Sequence, residues 1–189
     1  MTRNEILEAA ALIISQKGFH ATSMQDIAQA VNLQKASLYH HISSKQEILV
    51  ELLDQALDSL IDLIQTVYEQ SLSSELKLRK AINAYLDFML DRRDLAAVLL
   101  LEHRSLEPEY QARHIPRRDR FERLWRDMIE EGIADHTFFS SDSAFTSRAL
   151  LGVLNWTITW YRPEGALSPE MISKQLADLF LDGLLIRSI

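Results

Sequence analysis

Gln34, Lys35, Ser37, Tyr39 and His40 put an amide, an ammonium, two hydroxyls and an imidazole on one short stretch of chain. Leu33, Leu38 and Ile42 alternate with them at spacings that turn the apolar side chains inward and leave the polar ones, with small Ala36, facing out. Several hydrogen-bonding groups with one full charge suit base edges and phosphates in a DNA major groove. They do not suit bond-breaking chemistry. The chain has no Gly-rich phosphate loop, no Gly-x-Ser-x-Gly elbow and no His-Glu-x-x-His pair. It has no cysteine, which excludes disulfides, thiolate nucleophiles and Cys-based zinc sites. His40 and His41 are adjacent, so on a helix they diverge by about 100° and cannot chelate one ion together. His103 and Glu107 could share a helical face, but an isolated pair of that kind is more often an exposed hydrogen bond. The expectation is no catalytic residue, no metal ligand and no cofactor. The competing class, a small helical hydrolase or metal-binding bundle, lacks the constellation it requires.

Two short helices and a turn must position this set. Thr22 and Gln25 predict a capping box, after which Met24, Ile27, Ala28 and Val31 recur at helical spacing. Asn32 falls where the chain turns, and Asn tolerates the left-handed backbone a tight turn needs. Helices over about 23–30 and 34–41 therefore form a helix-turn-helix, the motif spanning 22–41. A helix from Arg3 to Lys17, closed by Gly18, precedes it. Ser44 and Glu47 predict a second capping box, opening a long helix to about Ser71. Further helices are expected from Ser73-Ser74 to about Arg93, from Asp94 through Arg104, and from Pro108 to about Asp135, with a bend near Pro116. A polar loop over 135–143, an apolar helix from Phe145 to Tyr161 and a last helix opened by Ser168-Pro169 complete an all-α chain of nine helices.

Composition agrees. Gly and Pro are scarce and β-branched clusters few, which favours helices. The opening residues lead into an amphipathic pattern rather than a secretory signal, and no apolar run approaches membrane-spanning length. A cytoplasmic protein without membrane contact is expected. The net charge of −7 looks unfavourable for DNA until it is divided. Within residues 1–47, Arg3, Lys17, Lys35 and Lys45 balance Glu5, Glu8, Asp26 and Glu47, so the acidity lies in the rest of the chain. A neutral head on an acidic body is compatible with DNA contact through one end.

The stretch Ile6 to Leu49 resembles the N-terminal domain of TetR-type transcriptional regulators. The matching residues are Ile6-Leu-Glu-Ala-Ala10, Gly18-Phe19, Thr22-Ser23, Ile27-Ala28, Leu38-Tyr-His-His41 and Ser44-Lys-Gln-Glu-Ile-Leu49. Nine helices in about 190 residues is also that family's usual layout. Departures are Asn32 for a turn Gly, Gln34 for a capping Ser, Ala36 for a Gly and Ile42 for a Phe. Gln34 weakens the cap and places a base-reading amide at the tip of the recognition helix. The resemblance implies a three-helix DNA-binding domain over 1–47, and a ligand-sensing and dimerisation domain over 48–189. Arg3, Thr22, Ser23 and Lys45 join Gln34, Lys35, Ala36, Ser37, Tyr39 and His40 as expected DNA contacts. Lys45 stands in the first turn of a helix, where its charge opposes the dipole, and a nearby phosphate would explain that placement.

Two further sites are expected in the C-terminal body. The helix from Phe145 to Tyr161 is apolar nearly all round, which requires burial on two sides. Gly152 on it, with Leu176, Leu179, Phe180 and Gly183 on the last helix, forms the expected interface of a homodimer. Tyr85, Phe88, Met89, Phe121, Trp125, Met128, Asn155, Trp156 and Trp160 are the expected lining of an effector pocket. The basic run from Arg113 to Arg126 is interleaved with acids, so it reads mainly as a salt-bridged face, with some arginines able to meet phosphates. The segment Asn155 to Pro163 is similar to family members that control fatty-acid or sterol breakdown and sense acyl-CoA thioesters. That resemblance implies a ligand-released repressor acting on a palindromic double-stranded operator. Aromatic acids and lipophilic cations are the alternative effectors.

Overall fold

Apolar residues recurring every three to four positions become helices in the computed structural model, which describes residues 2–185. In chain order these are α1 (Arg3–Lys17), α2 (Met24–Ala30), α3 (Lys35–Leu38), α4 (Lys45–Tyr68), α5 (Ser74–Asp91), α6 (Arg93–Leu101), α7 (Pro108–Ala134), α8 (Ser143–Trp160) and α9 (Pro169–Leu184). A short 3-10 turn, His103–Ser105, joins α6 to α7. The all-helical expectation is met. Among the described residues the one β-type pairing is an isolated antiparallel bridge between Phe138 and Leu185.

Local chemistry explains several boundaries. Gly18 closes α1 with φ +81°, a conformation that side chains with a Cβ rarely adopt. Asn32 takes φ +52° between α2 and α3, as its turn position requires. Ser168 caps α9, with Pro169 at its first position. The cap of α2 corrects the sequence reading. Ser23, not Thr22, is the N-cap, and its reciprocal partner is Asp26 rather than Gln25. The second box is only half formed: Ser44 Oγ accepts from the Glu47 N–H, but the Glu47 carboxylate turns to Ser43 and Arg3. Pro116 lies inside α7, which continues through it.

The helices divide into two compact units, and the division falls within α4 and α7. One unit holds residues up to Asp58 together with Arg92–Arg117. Its core is built from Ile6, Ala10 and Ile14 of α1, Ile27 and Ala28 of α2, Leu38, Ile42, Ile48 and Leu49. α6 packs on α1, where Ser15 Oγ donates to Asp94 at 2.6 Å. Asp94 therefore serves as an acceptor for α1, and α6 begins without a side-chain cap. Deeper in this unit, buried His114 meets buried Asp54 at 3.0 Å, and Arg117 approaches the same carboxylate at 3.2 Å.

The other unit holds Ser59–Asp91 and the residues from Arg118 onward. Here α5 packs against α9 and α8. Lys77 pairs with Glu131 at 2.7 Å, Ser74 donates to Asp135 at 2.6 Å and Arg79 pairs with Asp178 at 2.6 Å. The segment expected as a simple polar loop carries a buried anchor. Phe138 packs so closely on Gly132 that a Cβ there would lie 2.2 Å from the ring. The Phe139 N–H donates to the Leu184 carbonyl at 2.9 Å, tying this loop to the end of α9.

Candidate nucleic-acid interface

The reading segment is shorter than its sequence suggests but presents the same face. α3 comprises Lys35–Leu38, and its backbone continues as a turn, with Ile42 N–H donating to the Leu38 carbonyl at 3.1 Å. Leu38 and Ile42 are buried and Leu33 half-buried, which anchors the segment from beneath. Gln34, Lys35, Ala36, Tyr39 and His40 are exposed and Ser37 is half-buried. Gln34 occupies the N-cap position yet makes no side-chain cap bond. Its amide is therefore available to an outside partner, with both a donor and an acceptor. An Asn or Gln amide can pair bidentately with adenine, and a phenol and an ammonium can meet phosphate.

Arg3, Thr22 and Lys45 each also make bonds inside the protein. Thr22 is 1% exposed, and its hydroxyl donates to the Gly18 carbonyl at 2.9 Å. Arg3 folds onto α4, where its guanidinium meets Glu47 and Glu51 and also donates to the His41 carbonyl. Hydrogen bonds to Glu51 and then Glu47 push its pKa further above the guanidinium range. Lys45 donates to the carbonyls of Phe19 at 2.9 Å and Thr22 at 2.8 Å, with its ammonium 4.4 Å from the Phe19 ring centroid. Arg3 and Lys45 are struts between α4 and the head. Two of the three Lys45 donors are satisfied inside the protein, which answers the apparent conflict with the helix dipole. Ser23 is exposed, but its hydroxyl binds Asp26 at 2.6 Å. That hydroxyl first, then the Ser23 N–H and Lys17, lowers the Asp26 pKa to about 2.

These struts escaped the sequence reading because they join residues more than twenty positions apart. Arg3 with Glu47 and Glu51, or Lys45 with two backbone carbonyls, leaves no periodic or motif signal.

Part of the expected effector lining assembles in the second unit. Tyr85, Phe121 and Trp125 form a ring cluster, with centroids 5.8 Å apart for Tyr85–Phe121, 5.7 Å for Tyr85–Trp125 and 6.2 Å for Phe121–Trp125. Met89 and Met128 are buried, and Phe88 is half-buried. Tyr85 donates its hydroxyl to Asn155 Oδ1, and burial pushes its pKa far above the usual phenol range. The indole N–H of fully buried Trp125 has no hydrogen-bond acceptor. Trp156 and Trp160 stand apart from this cluster: Trp156 is 66% exposed and Trp160 is also exposed, whereas Leu150, Leu154 and Thr157 of α8 are buried. Adjacent residues on a helix point about 100° apart, so α8 cannot turn Asn155 and Trp156 the same way.

The outward face of α8 carries Phe145, Gly152, Val153, Trp156 and Trp160. On α9, Met171, Leu179 and Gly183 are exposed, while Leu176 and Phe180 are half-buried. A Cβ built on Gly152 or Gly183 meets nothing within 4 Å. Half of the arginines in the basic run are ion-paired: Arg113 and Arg117 pair with Asp54, Arg117 with Asp58, and Arg118 with Asp119 and Glu122. Among the described residues, no group of three or more His, Asp or Glu side chains could hold a metal ion. No helix there is long and apolar enough to cross a membrane.

Residues 6–52 match the family described as bacterial regulatory proteins, tetR family, and residues 71–184 match the tetracyclin repressor-like C-terminal domain. The HTH-type transcriptional repressor KstR2 of Rhodococcus jostii is 28% identical over 184 residues, covering 96% of this chain and 90% of that protein. The crystal structure of the TetR family transcriptional regulator PfmR from Thermus thermophilus superposes with a TM-score of 0.87 at 37% identity, covering 94% of this chain and 97% of that one. AibR in complex with isovaleryl coenzyme A and operator DNA superposes with a TM-score of 0.86 at 25% identity, covering 94% and 96%. The outward-facing α3, the order of nine helices among the described residues and both family matches lead to one assignment: this chain belongs to the TetR family of DNA-binding transcriptional regulators.

Proposed function

We propose that the chain is a cytoplasmic homodimeric repressor that a coenzyme A thioester releases from a palindromic operator. The observation that carries the DNA half is the exposed set Gln34, Lys35, Ala36, Tyr39 and His40 over the buried anchor Leu38–Ile42. Residues 1–47 supply the reading head and 48–189 sensing and dimerisation. In this reading Gln34, Lys35, Ala36 and Ser37 face bases, and Tyr39, His40 and the exposed edge of Ser23 face backbone.

The second copy covers the outward apolar face of α8 and α9. Gly152 and Gly183 leave open space on that face, which suits close approach of a partner's backbone. Two copies related by a two-fold axis present two α3 segments to two half-sites, which is why the operator is palindromic.

The effector meets the Tyr85–Phe121–Trp125 cluster, with Phe88, Met89 and Asn155. The apolar rings and pliable methionines suit an acyl chain. The unpaired Trp125 N–H offers a hydrogen bond to a carbonyl oxygen. Exposed Arg120 and Arg123 suit the phosphates of a coenzyme. Support for this ligand class comes from AibR, whose structure holds isovaleryl coenzyme A. α4 runs unbroken from Lys45, beside the head, to Tyr68, so it can carry a change from one unit to the other. Release needs the ligand to prefer the non-binding state, and a roughly 100-fold preference corresponds to about 2.7 kcal/mol of coupling.

The test is a gel-shift titration with the DNA upstream of the protein's own gene. A specific, salt-sensitive complex is expected, dissociated by long-chain acyl-CoA more effectively than by the free fatty acid. Release by aromatic acids or lipophilic cations alone overturns the ligand class and leaves the repressor. No specific complex from folded protein overturns both.

A further inference from the structure

Five residues close a ring of polar contacts at the base of the head. The Phe19 N–H donates to Glu102 Oε1 at 3.2 Å, and the Phe19 carbonyl accepts from the Lys45 ammonium at 2.9 Å. Next to Lys45 in the chain, the Gln46 amide donates to the Ser105 carbonyl at 3.0 Å. The Ser105 hydroxyl then donates to Glu102 Oε2 at 3.0 Å, which completes the circuit. A side bond reinforces it, the Glu107 N–H donating to Gln46 Oε1 at 3.2 Å. The ring joins the α1–α2 turn, the first turn of α4, the C-terminal end of α6 and the 3-10 turn.

None of these groups belongs to the exposed reading face. Glu102 carries the wrong charge to touch phosphate. Yet the ring grips the turn from which α2 departs: the same turn is closed by Thr22 Oγ1 on the Gly18 carbonyl, and α2 begins at the next residues. α3 hangs on α2 in its turn, with Leu33 N–H donating to the Ala28 carbonyl at 2.8 Å. Tilting the Gly18–Thr22 turn therefore tilts α3. Opposite charges act on the two sides of Phe19, a carboxylate on its N–H and an ammonium on its carbonyl, so the turn is held along one axis. Hydrogen bonds to charged groups are stronger than neutral ones.

We propose that Glu102 and Ser105 are positioning residues for DNA recognition: through the ring they set the pose of α3 from the end of α6, without touching DNA. The proposal rests on the chain reading DNA through α3. It implies that the two residues matter for specific binding, which depends on pose, and not for sequence-independent binding, which depends on charge.

The full-length chain and its Glu102→Ala, Ser105→Ala, doubly substituted and Glu102→Gln variants would be titrated onto the operator duplex and a scrambled duplex of equal length, over a salt series. Each alanine variant should lose roughly tenfold in operator affinity, with scrambled-duplex affinity and salt slope unchanged. The double variant should lose no more than the singles, because one break opens a ring. Glu102→Gln keeps an uncharged acceptor for the Phe19 N–H and should lose less operator affinity than Glu102→Ala. Amide exchange at Phe19 should accelerate in both single alanine variants, although Ser105 does not touch Phe19. Unchanged operator affinity in the folded alanine variants overturns the proposal. So does a tightening shared by both duplexes, which would show that only the Glu102 charge matters. If Glu102→Ala fails to fold, Ser105→Ala decides. If the wild type fails to distinguish the two duplexes, DNA reading is what fails, and unaltered Phe19 exchange in Ser105→Ala then overturns the ring as well.

Discussion

Lys45, the first residue of α4, reaches back across the head to hold the carbonyl of Thr22 at 2.8 Å, so its ammonium is an internal tie between α4 and the α1–α2 turn. Thr22 is buried beneath it. The finding changes what substitution of Lys45 should do. Lys45→Met keeps the aliphatic stem but leaves two carbonyls without their donor, and should lower both the melting temperature and operator affinity. The salt dependence of binding should stay close to that of the wild type. A slope reduced by about one per subunit would return Lys45 to the phosphate contacts.

Gln34 has the opposite character, a cap position whose side chain caps nothing. Gln34→Ala should leave thermal stability almost unchanged. It should change the preferred base at one position of each half-site, by about 1–3 kcal/mol. Binding measured against operators substituted at each position checks this, and an equal loss on every operator would make Gln34 a structural residue.

Trp156 and Leu179 are 66% and 67% exposed on α8 and α9. Trp156→Glu and Leu179→Glu should each give a folded monomer with weakened operator binding, since a charge in an apolar interface is costly. Sedimentation equilibrium reads the outcome. A stable dimer in both variants would move the interface to another face.

Trp125 is buried at the centre of the ring cluster, and Trp125→Ala should destabilise the chain by about 3–5 kcal/mol, as truncation of a buried Trp does. Tyr85→Phe removes only the hydroxyl that Asn155 accepts, and should cost about 1 kcal/mol while weakening release by acyl-CoA. Denaturant titration and inducer titration separate the two effects.

Asp26 predicts an acid-sensitive cap on α2. Its pKa falls from 3.8 to about 2 because the Ser23 hydroxyl, then the Ser23 N–H and Lys17, favour the carboxylate. A depressed folded-state value means the cap's contribution is complete above pH 3.8 and fades as pH falls toward 2. Amide exchange at Ser23 and Asp26 should rise over that window. In Asp26→Asn the rise should vanish.

What the sequence determined was whatever depends on neighbours along the chain. Apolar spacing placed the helices, Gly18 and Asn32 marked turns that both take positive φ, and Ser168-Pro169 opened α9. The outward set on α3 was legible for the same reason, because Leu38 and Ile42 dictate which side faces inward. The body was harder. An all-round apolar helix does not reveal which of its sides packs inside its own chain, and Trp156 and Trp160, expected in the pocket lining, stand exposed. Tertiary structure alone decided the partners of long charged side chains. Arg3 and Lys45 have reach enough for either a phosphate or the protein's own carboxylates and carbonyls, and packing brought the latter within 3 Å. Glu102 and Ser105 carry no signal in a linear reading. Their importance arises because folding lays the end of α6 against a turn more than eighty residues earlier, where a single backbone N–H awaits an acceptor.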